Sequence, residues 1–69
     1  MRISARNQLS GTITAIELGA VMAMVCLELD GGQQVTAAVT RASVEELGLT
    51  VGAPATAVIK STEVVIGVE

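Results

Sequence analysis

Apolar residues recur at two different periods along this chain. Residues 20 to 30, AVMAMVCLELD, place Val21, Ala23, Val25, Leu27 and Leu29 on one parity, and all five are apolar. A period of two is that of a β-strand, whose successive side chains point to opposite faces. The other parity carries Met22, Met24, Cys26, Glu28 and Asp30, apolar in its first half and polar after that. A sheet covered on one side only shows polar residues on its second face. Met22 and Met24 are therefore expected to be buried too, by another subunit. Residues 9 to 18, LSGTITAIEL, are rich in β-branched residues and predict an earlier strand, with Gly19 marking a tight turn. DGGQ, residues 30 to 33, predicts a hairpin turn, because glycine supplies the positive φ such turns need. QVTAAVT, residues 34 to 40, predicts a third strand.

The period then changes. TRASVEELG, residues 40 to 48, offers Ser43 as an N-cap with Glu46 three residues later, and Gly48 as a C-terminal stop. One short helix is predicted there. TVGAP reads as a loop, ATAVIKS (residues 55 to 61) as a fourth strand, and VVIGV after the KSTE break as a fifth. Five short strands with one helix between the third and fourth is the order of an OB-like β-barrel, an all-β fold. An open five-stranded sheet fits the same spacing. The barrel protects the edges of so apolar a chain better.

Sixty-nine residues, 1–69, make one domain. A chain this short buries only about 60% of its unfolded surface, and such scaffolds lean on disulfides, a metal or oligomerisation. A single cysteine excludes an internal disulfide, and with no histidine the chain lacks the ligands for a zinc or iron–sulfur site. Oligomerisation remains. Hydrophobic residues make up 51% and charged ones 16%, yet no run approaches the roughly 18 apolar residues that span a bilayer. The unpaired cysteine and the lack of a secretory segment predict a cytoplasmic protein. The net charge of −3, with no Phe, Tyr or Trp, counts against a nucleic-acid binder, which is normally basic and stacks bases on aromatics.

No catalytic constellation is present. Cys26 lies inside a strand and reads as a small core residue; Glu45 and Glu46 are adjacent, so on a helix they diverge by about 100°. Three polar patches stand out instead: SARN (residues 4 to 7) at the start, Thr40 to Ser43 around the helix start, and KST within KSTE (residues 60 to 63) near the end. Each reads simply as a strand lead-in, a helix cap or a Ser/Thr turn. Two of them also join a cation to small hydroxyls and loop amides, which are ligands for an oxyanion. The third sets two hydroxyls at a helix N-terminus, where free amides and the dipole favour an anion.

ISARNQLSGTI, LELDGGQQVTAAVTRASVEELGL and AVIKSTEVVIGV together resemble the molbindins, small cytoplasmic molybdate-binding proteins built from one TOBE/Mop-type domain. The resemblance runs over essentially the whole chain. Similar domains occur in molybdate-transporter ATPase subunits and in molybdate-responsive regulators. This chain has neither the ATPase motifs nor a DNA-binding helix pair, so it resembles the free-standing binder. The resemblance implies an OB-like barrel, a homo-oligomer that is a hexamer arranged as a trimer of dimers, and molybdate or tungstate held between subunits. It implies that Ser4, Ala5, Arg6, Thr40, Ser43, Lys60 and Ser61 are the oxyanion ligands, with no further cofactor. Arg41, between the two hydroxyls, is expected to face solvent. Two rival classes remain: an OB-fold nucleic-acid binder and an interaction module that oligomerises without a ligand.

Overall fold

The computed structural model describes all 69 residues. Four strands form one antiparallel sheet: β1 (Asn7–Leu18), β2 (Met22–Leu29), β3 (Gln34–Thr40) and β4 (Pro54–Ile59), in the order β3-β2-β1-β4. One short helix, α1 (Arg41–Leu47), connects β3 to β4. The predicted all-β chain with a helix between its third and fourth strands is what forms. The fifth strand is not: after a 3-10 turn at Ser61–Glu63, residues 64 to 69 pair with nothing in the chain. Its apolar residues favour a strand, but a strand also needs an edge to pair with, and the chain turns away from its own sheet after Lys60.

Strand β1 organises the rest. Its first half pairs with β4, from Asn7↔Ile59 to Thr12↔Pro54, and its second half pairs with β2, from Gly11↔Leu29 to Leu18↔Ala23. The two ladders overlap only at Gly11 and Thr12, so the sheet curls there. A bulge between Ile13 and Ala15 adds to the bend. Gly11 is required at this corner, because a Cβ at that position would lie 2.5 Å from the carbonyl oxygen of Glu28. Beyond Pro54, which lacks an N–H and begins its strand, Ile13 extends the ladder by bonding the backbone of Gly52 and Ala53.

The concave face holds the core. Ile13, Ala23, Val25 and Leu27 are buried there with Val44 of α1, and Val35, Val39, Ala55 and Ala57 pack at its margins. This is the parity that the alternation in residues 20 to 30 picked out, with Val21 and Leu29 at the ends left more open. On the other face Met22 and Met24 are 48% and 42% exposed in the single chain.

Helix α1 is held at both ends by local chemistry. Its N-cap is Thr40, not Ser43 as predicted: the Ser43 N–H donates to Thr40 Oγ1 at 3.0 Å. Both residues carry the hydroxyl a cap needs, but strand β3 ends at Thr40 with extended backbone, so the helix begins one turn sooner. Gly48 ends it in the left-handed region, φ 63°, as predicted. The N–H groups of Gly48 and Leu49 return to the carbonyls of Glu45 and Val44, the paired bonds of a Schellman ending.

Candidate functional site

The sheet register fixes where the three polar patches lie. Asn7 pairs with Ile59, so the residues just outside that pair, Ser4–Arg6 on one side and Lys60–Ser61 on the other, emerge side by side from the same end of the β1–β4 ladder. Two side-chain bonds secure the junction. Asn7 Nδ2 donates to the Ile59 carbonyl at 3.1 Å, and Gln8 Nε2 donates to the Ala5 carbonyl at 3.1 Å. The first and last patches, over fifty residues apart in sequence, are thereby one surface. Asn7 closes the polar SARN stretch but is not among the expected ligands, and Gln8 is singled out by nothing in the sequence. Their signal was only that two amide side chains follow Arg6 directly where a strand begins.

This surface is rich in free donors. Arg2, Arg6 and Lys60 are three of the four basic residues in the chain, and none has a carboxylate oxygen within 4 Å. Arg6, Ser4, Lys60 and Ser61 are exposed, and Ala5 is half-buried. Glu63, in the 3-10 turn that follows Lys60, is the acidic residue nearest in sequence.

The remaining pair, Thr40 and Ser43, is elsewhere. Thr40 pairs with Met22, and β2 begins beside the end of β1, where Leu18 pairs with Ala23. The helix start therefore sits at the Leu18 end of β1, and the Arg6–Lys60 surface at its Asn7 end. Eleven residue steps at about 3.3 Å put the two on the order of 30 Å apart. Within one chain the seven candidate ligands form two clusters and no single pocket.

The Thr40 cluster is also differently made. The Thr40 and Ser43 hydroxyls share a hydrogen bond at 2.7 Å. Arg41 does not simply face solvent. Its Nε donates to Glu45 Oε1 at 3.2 Å, a guanidinium nitrogen donates to the Gly19 carbonyl at 3.4 Å, and its backbone N–H donates to the Val21 carbonyl at 2.8 Å. One residue thus ties the β1–β2 turn to the helix start.

Cys26 lies on the convex face, half-buried, with its Sγ 3.8 Å from Thr36 Oγ1. It is not among the buried residues of the core. No helix is long and apolar enough to cross a membrane.

The TOBE domain family matches residues 3–66. The chain is 49% identical over 69 residues to the probable molybdenum-pterin-binding protein of Haemophilus influenzae, covering all of both chains. It is similar in structure to MopII from Clostridium pasteurianum, with a TM-score of 0.92 and 49% identity over 97% of this chain and all of that one. It is also similar to ModG, a cytoplasmic molybdate-binding protein solved with molybdate bound. There the TM-score is 0.95 and the identity 54%, over all of this chain and 49% of that one. The matched region takes in β1 through the 3-10 turn, and with it both clusters of polar residues. The chain belongs to the TOBE-domain family, and within it to the Mop-type proteins that carry the name molybdenum-pterin-binding protein.

Proposed function

We propose that this protein binds molybdate, or tungstate, and stores or buffers it in the cytoplasm without catalysing a reaction. Its ligands are Ser4, Ala5, Arg6, Lys60 and Ser61 at the Asn7 end of β1, and Thr40 and Ser43 at the other. The observation that carries the reading is the first of these clusters: two distant segments brought together at one strand end with unpaired cations, hydroxyls and backbone amides. ModG, similar over the whole of this chain, is a molybdate-binding protein by name.

The chemistry fits such a guest. Molybdate is a tetrahedral dianion whose oxygens only accept hydrogen bonds. Amides, an ammonium and a guanidinium only donate, and hydroxyls adapt. Phosphate near neutrality often carries a proton, for which amides and cations offer no acceptor, so its fit is poorer. Sulfate matches in charge and is separated by oxygen spacing alone. The cluster separation along β1 also supports a site shared between chains, since one copy cannot close both clusters on one ion. We assign a homo-oligomer on that basis, a hexamer built as a trimer of dimers, in which Met22 and Met24 are covered and the curled four-stranded sheet is completed to a five-stranded OB-like barrel.

Elemental analysis of protein purified from molybdate-fed cells tests the reading directly. Molybdenum should co-purify with the assembled protein. Added molybdate should raise the melting temperature of the stripped protein by mass action, and phosphate should do so little. Equal shifts with molybdate, sulfate and phosphate would reveal a general ionic effect and sink the assignment. An oligomer free of molybdenum and unresponsive to it would be a structural module.

A further inference from the structure

Most of the backbone at the Asn7 end of β1 is held by the sheet or by the turn after Lys60, but one peptide group there is not. The Ala5–Arg6 peptide lies ahead of the first pair of the β1–β4 ladder, Asn7↔Ile59, and no backbone group bonds it. The Ala5 carbonyl has a single hydrogen bond within the chain, which Gln8 Nε2 donates at 3.1 Å. The Arg6 N–H has none.

A peptide group is planar, and this chain has no cis peptide bond. The carbonyl of one residue and the N–H of the next therefore point opposite ways. By holding the Ala5 carbonyl, Gln8 turns the Arg6 N–H away from itself and leaves it open. Without that hold the peptide plane, in an exposed lead-in, can rotate about the single bonds on either side of it. Across the ladder the matching groups are secured otherwise. The Ile59 carbonyl, in one plane with the Lys60 N–H, belongs to a ladder residue and is also bonded by Asn7 Nδ2 at 3.1 Å. The Lys60 carbonyl, in one plane with the Ser61 N–H, accepts from the Glu63 N–H at 2.9 Å. Only on the Ser4–Arg6 side does the direction of an amide depend on one side chain alone.

We propose that Gln8 is a positioning residue of the oxyanion site: through the Ala5 carbonyl it aims the Arg6 N–H at the ion. The proposal rests on the oxyanion-binding reading of the preceding section and gives a role to a residue outside the proposed ligands. An amide that is aimed before the ion arrives does not have to be ordered on binding, so more of its hydrogen bond is realised as affinity. It also adds a donor of fixed direction to the mobile guanidinium on the same residue, as the backbone nests that hold anions do. Gln8 is exposed, so its side chain can be changed without disturbing the core.

Amide NMR spectra of the assembled protein, titrated with molybdate, test the role. Gln8→Met keeps the length of the side chain and removes the donor. Gln8→Glu keeps the size and, ionised near neutrality, has no proton to donate. In the wild-type protein the Arg6 and Lys60 amide signals should both move as molybdate is added. In both variants the Arg6 response should be largely lost and the Lys60 response kept. Affinity should fall roughly two- to tenfold, the worth of one ordinary hydrogen bond, with sedimentation unchanged. A wild-type Arg6 response in either variant overturns the proposal. An equal loss at Arg6 and Lys60 does so too, because it reports a general loosening of the site. A wild-type protein whose amide signals ignore molybdate removes the oxyanion reading itself, and the role of Gln8 with it.

Discussion

At the Leu18 end of β1, the hydroxyls of Thr40 and Ser43 are already committed: they bond one another at 2.7 Å, and Thr40 caps the helix. Arg41 beside them is bound to Glu45 and to the β1–β2 turn. At the Asn7 end, Ser4, Arg6, Lys60 and Ser61 are positioned by the strand register, the Asn7 and Gln8 side chains and the 3-10 turn after Lys60, and their side-chain polar groups make no hydrogen bond within the chain. Geometry is set in advance at the first end, and charge is available at the second. A site that joined the two across chains would have one rigid wall and one adaptable, cationic wall. In the proposed site the rigid wall would contribute oxygen spacing, by which molybdate would be separated from sulfate. The cationic wall would contribute most of the attraction, and would do so against a chain whose net charge is −3.

The largest expected effect comes from preventing the two ends from meeting. Met24 lies on the convex face, and its burial against a partner is worth roughly 1.5–3 kcal/mol per chain, before the added cost of burying a charge. Met24→Asp should dissociate the oligomer and reduce molybdate binding by more than Lys60→Met does. Sedimentation and calorimetric titration read the two effects. An intact oligomer in the Met24→Asp protein would place the subunit contact on another surface.

Within the assembled protein, the cationic end should dominate affinity. Lys60→Met keeps much of the aliphatic stem and removes the charge. Removing a charged hydrogen-bond partner typically lowers affinity roughly ten- to a hundredfold. Calorimetry with molybdate should show that loss with the oligomer unchanged. Wild-type affinity in a correctly assembled variant would make Lys60 a solvated strand end and leave Arg6 as the candidate cation.

The rigid end should respond chiefly in stability. Thr40→Val keeps the shape and removes the cap, which costs about 1 kcal/mol. For a domain of this size that is about 4–8 °C in melting temperature, compared at equal protein concentration. Binding should fall as well, because Ser43 loses the partner that orients it. A Thr40→Val protein that bound less molybdate but melted as the wild type does would show the hydroxyl acting on the ion alone.

These contrasts were unequally visible in the sequence. Alternation from Val21 to Leu29 was enough to place the core parity, and β-branched runs located four strands to within a few residues. Gly48 marked the helix end because left-handed backbone has few other occupants. The helix start was misplaced because Thr40 and Ser43 satisfy the same capping rule, and only the end of the β3 ladder decides between them. The fifth strand does not form within the single chain, and that was hidden for a different reason. VVIGV has the composition of a strand, but composition carries no information on which edge it will pair with. The polar patches were legible as residue types. Their division between the two ends of β1 was not, because it depends on which half of β1 pairs with β2 and which with β4.

The smallest expected effect concerns Arg41, and it sharpens the contrast from within the rigid end. Its ion pair with Glu45 is exposed and spaced i, i+4 on the helix, an arrangement worth about 0.3–0.5 kcal/mol and weakened by salt. Its bond to the Gly19 carbonyl, at 3.4 Å, is long and adds little. The backbone bond to Val21 survives any side-chain change. Arg41→Met should therefore lower the melting temperature by no more than about 4 °C at low ionic strength. That difference should shrink at 1 M salt, where the Debye length is about 3 Å. Molybdate affinity should stay within about twofold, because the guanidinium is directed to Glu45 and the β1–β2 turn, away from the Thr40 and Ser43 hydroxyls. Paired thermal melts at low and high salt, with a calorimetric titration at each, separate these outcomes. A tenfold loss of molybdate affinity in Arg41→Met would mean that the guanidinium leaves Glu45 for the ion. The Leu18 end would then be a second cationic wall, and its distinction from the Asn7 end would be one of degree.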